Sequence, residues 1–144
     1  MKQVNQKIFN RAWHHMLCQE AKSERNGESR YYGPNGLRGP IGCLIDRDFY
    51  RPELEGQKPT SRAVLNAIAA SMDVNPQDID RFLIDDLAAS HEDTPPRYWW
   101  SRLMRVATQA ALDAPERPGF GDRIKHWFGR RLTHLWDVLD GYGE

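Results

Sequence analysis

His14 and Cys18 are the first residues in the chain whose types and spacing suggest chemistry. They lie one helical turn apart in a segment with helical periodicity, so they could supply two ligands to a metal ion. A zinc site needs three or four such ligands, and the sequence has no C-x-x-C pair to complete one. Surface histidines and a buried cysteine are the preferred interpretation, and we expect no metal and no cofactor. The remaining candidate ligands are Cys43, His91, His126 and His134.

The acidic segment after residue 73 offers a second set of polar groups. His91, Glu92 and Asp93 have the composition of a catalytic cluster, but neighbours in sequence do not share one helix face. Asp85 and Asp86 could contact a cation, yet no loop with calcium-ligand spacing surrounds them. We therefore predict a solvated helix end and a solvated acidic face, with no catalytic residue.

Glycine and proline are concentrated between residues 33 and 42. The segment has neither G-x-G-x-x-G before a helix nor G-K-[ST], so turn geometry explains its glycines better than phosphate binding does. Two arginines and two tyrosines around this turn could clamp a nucleotide-like ligand, and they are equally typical of an exposed hairpin. These candidate ligand-binding residues are Arg30, Tyr31, Tyr32 and Arg38.

Residues 115–144 form a predicted amphipathic helix behind a joint rich in Pro and Gly. We prefer packing of its apolar stripe on the body as core; alternatively the helix docks into a partner groove or pairs with a second copy. Membrane-surface binding ranks third because acidic residues close the segment. The stripe consists of Ile124, Trp127, Phe128, Leu132, Leu135, Trp136 and Leu139. The candidate partner-binding residues are Lys125, Trp127, Arg130 and Arg131.

The charges of the chain balance to a formal net charge of zero but are unevenly distributed. Residues 73–93 hold seven acids against one arginine, and residues 97–134 hold eight basic residues against three acids. A bipolar surface suits contact with a protein partner or contact between the two segments. A nucleic-acid-binding protein usually has a basic balance, so this class is disfavoured.

Length and composition predict one folded domain. The chain has 144 residues with 40% hydrophobic content and 10% aromatic residues, enough for a single core. Its two cysteines make no disulfide framework, and its N-terminus lacks the apolar region of a signal peptide. No apolar run approaches the roughly 20 residues of a transmembrane helix. We expect a cytoplasmic protein with reduced thiols and no membrane partner.

Hydrophobic periodicity predicts a mostly helical α+β domain of four to five helices, with a short irregular β-hairpin near residues 30–45. The first helix covers 4–22 and ends at Asn26-Gly27. A second covers 62–72, capped by Thr60-Ser61. A third begins at Asn75-Pro76, and a fourth follows Pro95-Pro96 with Trp99, Leu103, Val106, Ala107 and Ala110 on one face. The apolar stripe of the third helix is Ile79, Phe82, Leu83 and Leu87. Residues 1–114 make the globular domain, and 115–144 the C-terminal helix.

Residues 31–56 resemble a group of small proteins encoded in phage and prophage genomes, mostly of unassigned function. The shared features are a tyrosine strand at Tyr32, a glycine turn at Asn35-Gly36, the run Gly42-Cys43-Leu44-Ile45, and Glu55-Gly56. A looser similarity extends over residues 8–112. Members of the group often carry cysteines where this chain has Arg30 and Gly39, so no metal or redox role is carried over from them.

These observations favour a non-enzymatic binding protein of phage or prophage type that contacts a host protein. Interference with a host defence system is the role that such an origin suggests. The alternative is a binder of a nucleotide-like ligand or nucleic acid, through the hairpin or through the basic helix from Arg123 to Arg131. A third hypothesis, an unrecognised enzyme, requires His14, Cys18, Cys43 or His91 to converge in one pocket.

Overall fold

A computed structural model describes residues 2–142 of the chain. Within this range the fold is mostly helical α+β, which confirms the predicted fold class. Five α-helices and one two-stranded antiparallel sheet are present among these residues. The helices are α1 (Lys2–Gln19), α2 (Arg62–Met72), α3 (Arg81–Asp93), α4 (Trp99–Gln109) and α5 (Phe120–Asp140). The strands are β1 (Glu24–Arg25) and β2 (Glu28–Ser29).

Helix α1 forms the centre of the core and contacts α3, α4 and α5. Its apolar side chains follow the predicted periodicity, and all of them face inward. The helix ends at Gln19, three residues earlier than predicted, because Glu20 takes a left-handed backbone conformation with φ of 52°. The largest buried side chains of α1 are Ile8, Phe9, Trp13 and Met16.

The turn between β1 and β2 corrects the prediction that Asn26-Gly27 ends a helix. Asn26 and Gly27 both have positive φ, 54° and 80°, and the flanking Arg25 and Glu28 pair in the sheet. Two consecutive residues of this kind form the tight hairpin turn whose twist matches that of antiparallel strands. The Asn-Gly pair therefore marks a hairpin, not a helix end.

Residues 30–45 form a reduced version of the predicted irregular hairpin. Tyr32 and Arg38 make one antiparallel bridge around the turn at Asn35-Gly36, and the rest of the segment is built mainly of 3₁₀ turns. Gly42 is required here because a Cβ at this position would overlap the carbonyl of Tyr31. The segment thus folds back closely on itself without forming a ladder.

Helices α2 and α4 follow the sequence prediction, whereas α3 begins later. Asn75 caps a 3₁₀ turn, and α3 starts only at Arg81, where the Asp80 carboxylate accepts bonds from Phe82 N and Leu83 N. The break shifts the helical phase after Ile79, so that Phe82 is exposed and Ile84 is buried instead. Placing Phe82 on the core stripe was therefore wrong.

Helix α5 lies against α1 and against the turn at residues 34–36, after an extended joint over 112–119. Its apolar stripe nevertheless faces away from the body. Every member of the stripe is exposed, so the preferred prediction that these side chains form core is wrong. The contacts that hold α5 explain this orientation.

Candidate functional site

The face of α5 that lies against the body is polar. Asp137 is the one buried residue among the described residues of α5. The other side chains on this inner face are partly buried and carry hydrogen-bonding groups. They are His126, Arg130, Thr133 and His134. The helix therefore docks through charge and hydrogen bonds, with its polar residues inward.

Asp137 is the centre of this docking. Arg38 binds its carboxylate through two guanidinium nitrogens at 2.8 and 2.7 Å, and Arg47 binds it at 2.6 Å. Arg47 also reaches Asp140 at 2.9 Å. A buried carboxylate needs such partners because its desolvation otherwise costs several kcal/mol. The two arginines and Asp137 together fix which side of α5 faces the body.

The guanidinium of Arg38 packs on a stack of two tyrosine rings, Tyr32 and Tyr50. Its guanidinium carbon lies 3.5 Å from the centroid of the Tyr32 ring, and Tyr50 stacks on Tyr32 with centroids 3.7 Å apart. Tyr142, just beyond α5, meets the Tyr50 ring edge-on at 5.1 Å. Burial raises the pKa of Tyr32 to about 12, so this ring stays neutral. Both faces of Tyr32 are occupied.

Two histidines connect α1 to α5. Nε2 of His15 lies 2.9 Å from the carbonyl of Arg38 and therefore carries the proton that it donates. Nδ1 of His15 then accepts from Nε2 of His126 at 3.1 Å. Loss of solvation, and after it the charge of His126, lowers the pKa of His15 to about 3. The pair is neutral at pH 7.

The outer face of α5 is a continuous apolar surface, called here the outer stripe. Phe128 and Leu135 are 60% and 61% exposed, although the helix also contains polar residues that could have faced solvent in their place. Exposed apolar area of this extent on one helix is typical of a binding surface. The outer stripe comprises Phe120, Ile124, Phe128, Leu132, Leu135, Val138 and Leu139, flanked by Trp127 and Trp136.

Two cations border the outer stripe. Arg131 lies over the Trp127 ring, 4.5 Å from its centroid, and Lys125 is exposed on the surface. Within residues 2–142 neither cation pairs with a carboxylate. The outer stripe is therefore apolar at its centre and basic at its edge.

Beneath α5, between its inner face and the body, lies a cleft of about 380 Å³, called here the arginine cleft. Arg11 of α1, the hairpin residue Arg38, Arg47 and the α5 residue Arg130 all line it. His15 and His126 border it as well. The tertiary structure thus collects four arginines from four separate parts of the chain.

A smaller pocket of about 190 Å³ lies beside Arg30 and Tyr31. The carboxylate of Glu55 accepts bonds from Tyr31 N at 2.9 Å and from Tyr50 Oη at 2.7 Å, and lies 3.7 Å from Arg30 Nε. This carboxylate is used to hold the hairpin backbone in place. Arg30 and Tyr31 keep partial exposure, so they stay available to a ligand.

The predicted ligand-binding set on the hairpin is divided by the fold. Arg30 and Tyr31 line the smaller pocket, whereas Tyr32 and Arg38 are buried and line the arginine cleft. An exposed hairpin carrying all four side chains, as the sequence suggested, is therefore wrong, because Tyr32 packs on Tyr50 and Arg38 pairs with Asp137.

The predicted set on the last helix is divided in the same way. Arg130 points into the arginine cleft, while Lys125, Trp127 and Arg131 border the outer stripe. Sequence reasoning missed the inner partners of α5, because each lies far from α5 along the chain and has no local signal. Those partners are His15 and Arg47.

The candidate catalytic and metal groups do not converge. His14 Nε2 contacts Cys18 Sγ at 3.7 Å, but burial raises the pKa of Cys18 to about 11, so its thiol is not activated. Burial likewise raises the pKa of Cys43 to about 12. No group of three or more potential metal ligands is present in residues 2–142.

His91 corrects the prediction of a solvated helix end. It is buried, and its Nε2 accepts a bond from Ser23 N at 2.9 Å. Burial lowers its pKa to about 4, so the ring is neutral and serves as a hydrogen-bond partner between α3 and the segment before β1. The stacked Trp99 ring covers it on one side.

No protein-family model, curated protein or solved structure matches this chain. Among the described residues, no helix has the length and apolar character needed to cross a membrane. The functional interpretation therefore depends on the two faces of α5 and on the pockets beside them.

Proposed function

We propose that this protein is a non-enzymatic binding protein that acts by docking the outer stripe of α5 onto another protein. The observation that carries the proposal is the orientation of α5, which buries Asp137 and exposes Phe128 and Leu135. Exposed apolar area costs about 25 cal/mol for each Å² left in water, so a whole helix face of it favours a partner that covers it.

Rotating α5 to turn its apolar face towards the body would break the contacts that hold the helix. Gly36 has φ of +74° and allows the α5 backbone at Arg130 to approach closely, where any Cβ would collide. Rotating the helix to bury Phe128 would also remove Asp137 from Arg38 and Arg47 and leave charges unpaired. The exposed stripe is thus held in place by specific contacts.

The chemistry of the outer stripe favours a partner with an apolar groove and an acidic rim. Lys125 and Arg131 would meet such a rim with opposite charge. A second copy of the chain fits less well: Arg131 borders the stripe near the midpoint of α5 along the helix axis, so two-fold pairing of two outer stripes would bring two copies of Arg131 together. We therefore favour a different protein over self-association.

The partner that we propose is a host protein, and the support for this choice is the sequence resemblance. Similarity of residues 31–56 to phage and prophage proteins suggests a host protein, and interference with host defence is the corresponding role. A small protein with one rigid docking helix suits such a task, since a preformed surface binds without an ordering cost.

The test is a pull-down from nuclease-treated bacterial lysate with the tagged full chain. The variant F128S/L135S removes one aromatic and one aliphatic anchor from the outer stripe, and F82S removes an even more exposed phenylalanine from α3 as the control. We expect a stoichiometric protein to be captured by the wild type and F82S, and to be lost at least tenfold with F128S/L135S.

Equal capture by all three proteins would place the binding surface elsewhere and refute the proposal. A parallel pull-down from untreated lysate that captures nucleic acid and no protein would refute it as well. Sedimentation of the purified chain provides the remaining comparison: a dimer that dissociates in F128S/L135S would assign the outer stripe to a second copy.

A further inference from the structure

We propose that the arginine cleft binds a small molecule carrying a phosphate monoester. This inference concerns the inner side of α5 and goes beyond the proposed docking of the outer stripe. It rests on the charges that line the cleft, on the size of the cleft and on the way its aromatic residue is covered.

The cleft has more positive charge than its acids neutralise. Its lining contains four arginines and one acid, Asp46. Asp46 pairs with Arg11 at 2.9 Å, and the acids Asp137 and Asp140 of α5 pair with Arg38 and Arg47. Three carboxylates thus neutralise three of the four arginines, and one positive charge is not neutralised.

Arg130 is the arginine left over. Within residues 2–142 no carboxylate pairs with it and no hydrogen bond fixes its guanidinium. Arg11 is also available, because its pair with Asp46 is about 40% exposed and such pairs are worth little in water. The cleft is therefore lined by two arginines without a strong ion pair, Arg11 and Arg130, and by two that Asp137 holds, Arg38 and Arg47.

Phosphate is the anion that suits this arrangement. The planar fork of arginine matches phosphate oxygens bidentately, and arginines from several elements can surround one tetrahedral group. A volume of about 380 Å³ accommodates a mononucleotide-sized molecule.

The covering of Tyr32 restricts which part of the ligand is recognised. Arg38 occupies one face of its ring and Tyr50 the other, so no nucleobase can stack there. The cleft would therefore recognise the phosphate group. The group attached to this phosphate would be a sugar or a nucleoside.

The experiment is isothermal titration calorimetry of the full chain in chloride buffer, with inorganic phosphate, adenosine 5′-monophosphate and adenosine as probes. The decisive variants are Arg130→Gln, in the cleft, and Arg131→Gln, its neighbour on the outer face with the same change in charge. We expect both phosphate-bearing probes to bind and adenosine not to bind. Arg130→Gln should weaken binding about tenfold, and Arg131→Gln less than about twofold.

Circular dichroism establishes that both variants are folded, and Arg11→Gln supplies a second cleft variant if Arg130→Gln is not. Absence of binding by the wild type would overturn the proposal. Equal weakening by Arg130→Gln and Arg131→Gln would overturn it too, because it would indicate a diffuse basic surface of the kind that binds nucleic acid. F128S/L135S should bind phosphate normally, which separates this proposal from the docking function.

Discussion

Helices α1 and α5 are both amphipathic, yet they present opposite faces to the body. In α1 the side chains of Phe9 and Trp13 are buried, and the charged residues face solvent. In α5 the buried residue is Asp137, while Phe128 and Leu135 face solvent. The difference shows that an apolar stripe on a helix does not by itself establish that the stripe packs on the body of its own chain.

The two helices are also held by different forces. Helix α1 gains most of its stability from apolar area removed from water, a contribution that involves no charged group. Helix α5 depends on paired charges, a histidine pair and one close backbone contact at Gly36. Substitutions of the same chemical type should therefore have different effects in the two helices.

Trp13→Ala and Trp136→Ala make the sharpest comparison. Trp13 is 1% exposed and Trp136 is 58% exposed, so the same truncation removes core packing in α1 and surface area in α5. We expect a loss of about 3–5 kcal/mol in the free energy of unfolding for Trp13→Ala, and less than about 0.5 kcal/mol for Trp136→Ala. Urea denaturation measures both. Similar losses would mean that α5 packs its apolar face on the body after all.

Asp137→Asn tests whether charge holds α5. The variant leaves Arg38 and Arg47 without the carboxylate that they share, and we expect a loss of about 3 kcal/mol together with faster hydrogen exchange in α5. Asp122→Asn at the exposed start of the same helix is the matched control and should cost at most about 1 kcal/mol. Unchanged exchange in Asp137→Asn would show that other contacts suffice.

Gly36→Ala tests the close approach of α5 to the hairpin. Gly36 and Gly56 both have left-handed backbones, with φ of +74° and +82°, but only at Gly36 would a Cβ meet the backbone of α5. Gly56→Ala should therefore cost about 1 kcal/mol for the backbone conformation alone. Gly36→Ala should cost at least about 2 kcal/mol, with the extra loss accompanied by proteolytic sensitivity of α5. Equal losses would exclude a role for the contact.

Acidification should weaken the contact between α1 and α5. The folded protein holds His15 neutral down to a pKa of about 3, whereas an unfolded histidine takes up a proton below about pH 6.5. The unfolded state therefore binds more protons between these values, and the free energy of unfolding falls as the pH falls through this window. We expect a loss of about 1 kcal/mol from this group between pH 7.5 and 5.5.

Urea midpoints at the two pH values measure this loss. His15→Gln should show a shallower pH dependence than the wild type, since it lacks the group that titrates. His14→Gln, at the exposed neighbouring position, should keep the dependence of the wild type. A steeper or unchanged dependence in His15→Gln would contradict the assignment, and the buried His91 would then be the next group to replace.

Much of the secondary structure follows from local chemistry. Ser61 caps α2 as predicted, the turn at Asn35-Gly36 forms where its residue types require it, and the Pro-rich joints separate α3, α4 and α5. The errors have local causes as well. Asn26-Gly27 was interpreted as a helix end although the pair is equally a hairpin turn, and a 3₁₀ turn after Asn75 shifted the phase of α3.

The candidate sites were less accessible to sequence reasoning. The sequence prediction selected residues on the hairpin and on the last helix by their types, and it grouped them by nearness in sequence. The fold regroups them, so that Arg38 and Arg130 share one cleft while Lys125 and Arg131 border another surface. The positions of Arg11 and Arg47 beside this cleft could not be predicted from the sequence. A single charged residue is typical of an exposed surface, and only the fold shows which partner lies opposite it.

The sequence by itself determined the helices, their caps and joints, and the existence of an apolar stripe on α5, because propensity, capping and periodicity act over a few residues. The direction of that stripe was decided only in the tertiary structure. Asp137 meets Arg38 across 99 positions of chain, and Arg47 meets it across 90. Since burial of a carboxylate is tolerated only beside such partners, these distant contacts turn the polar face of α5 inward and its apolar face towards solvent.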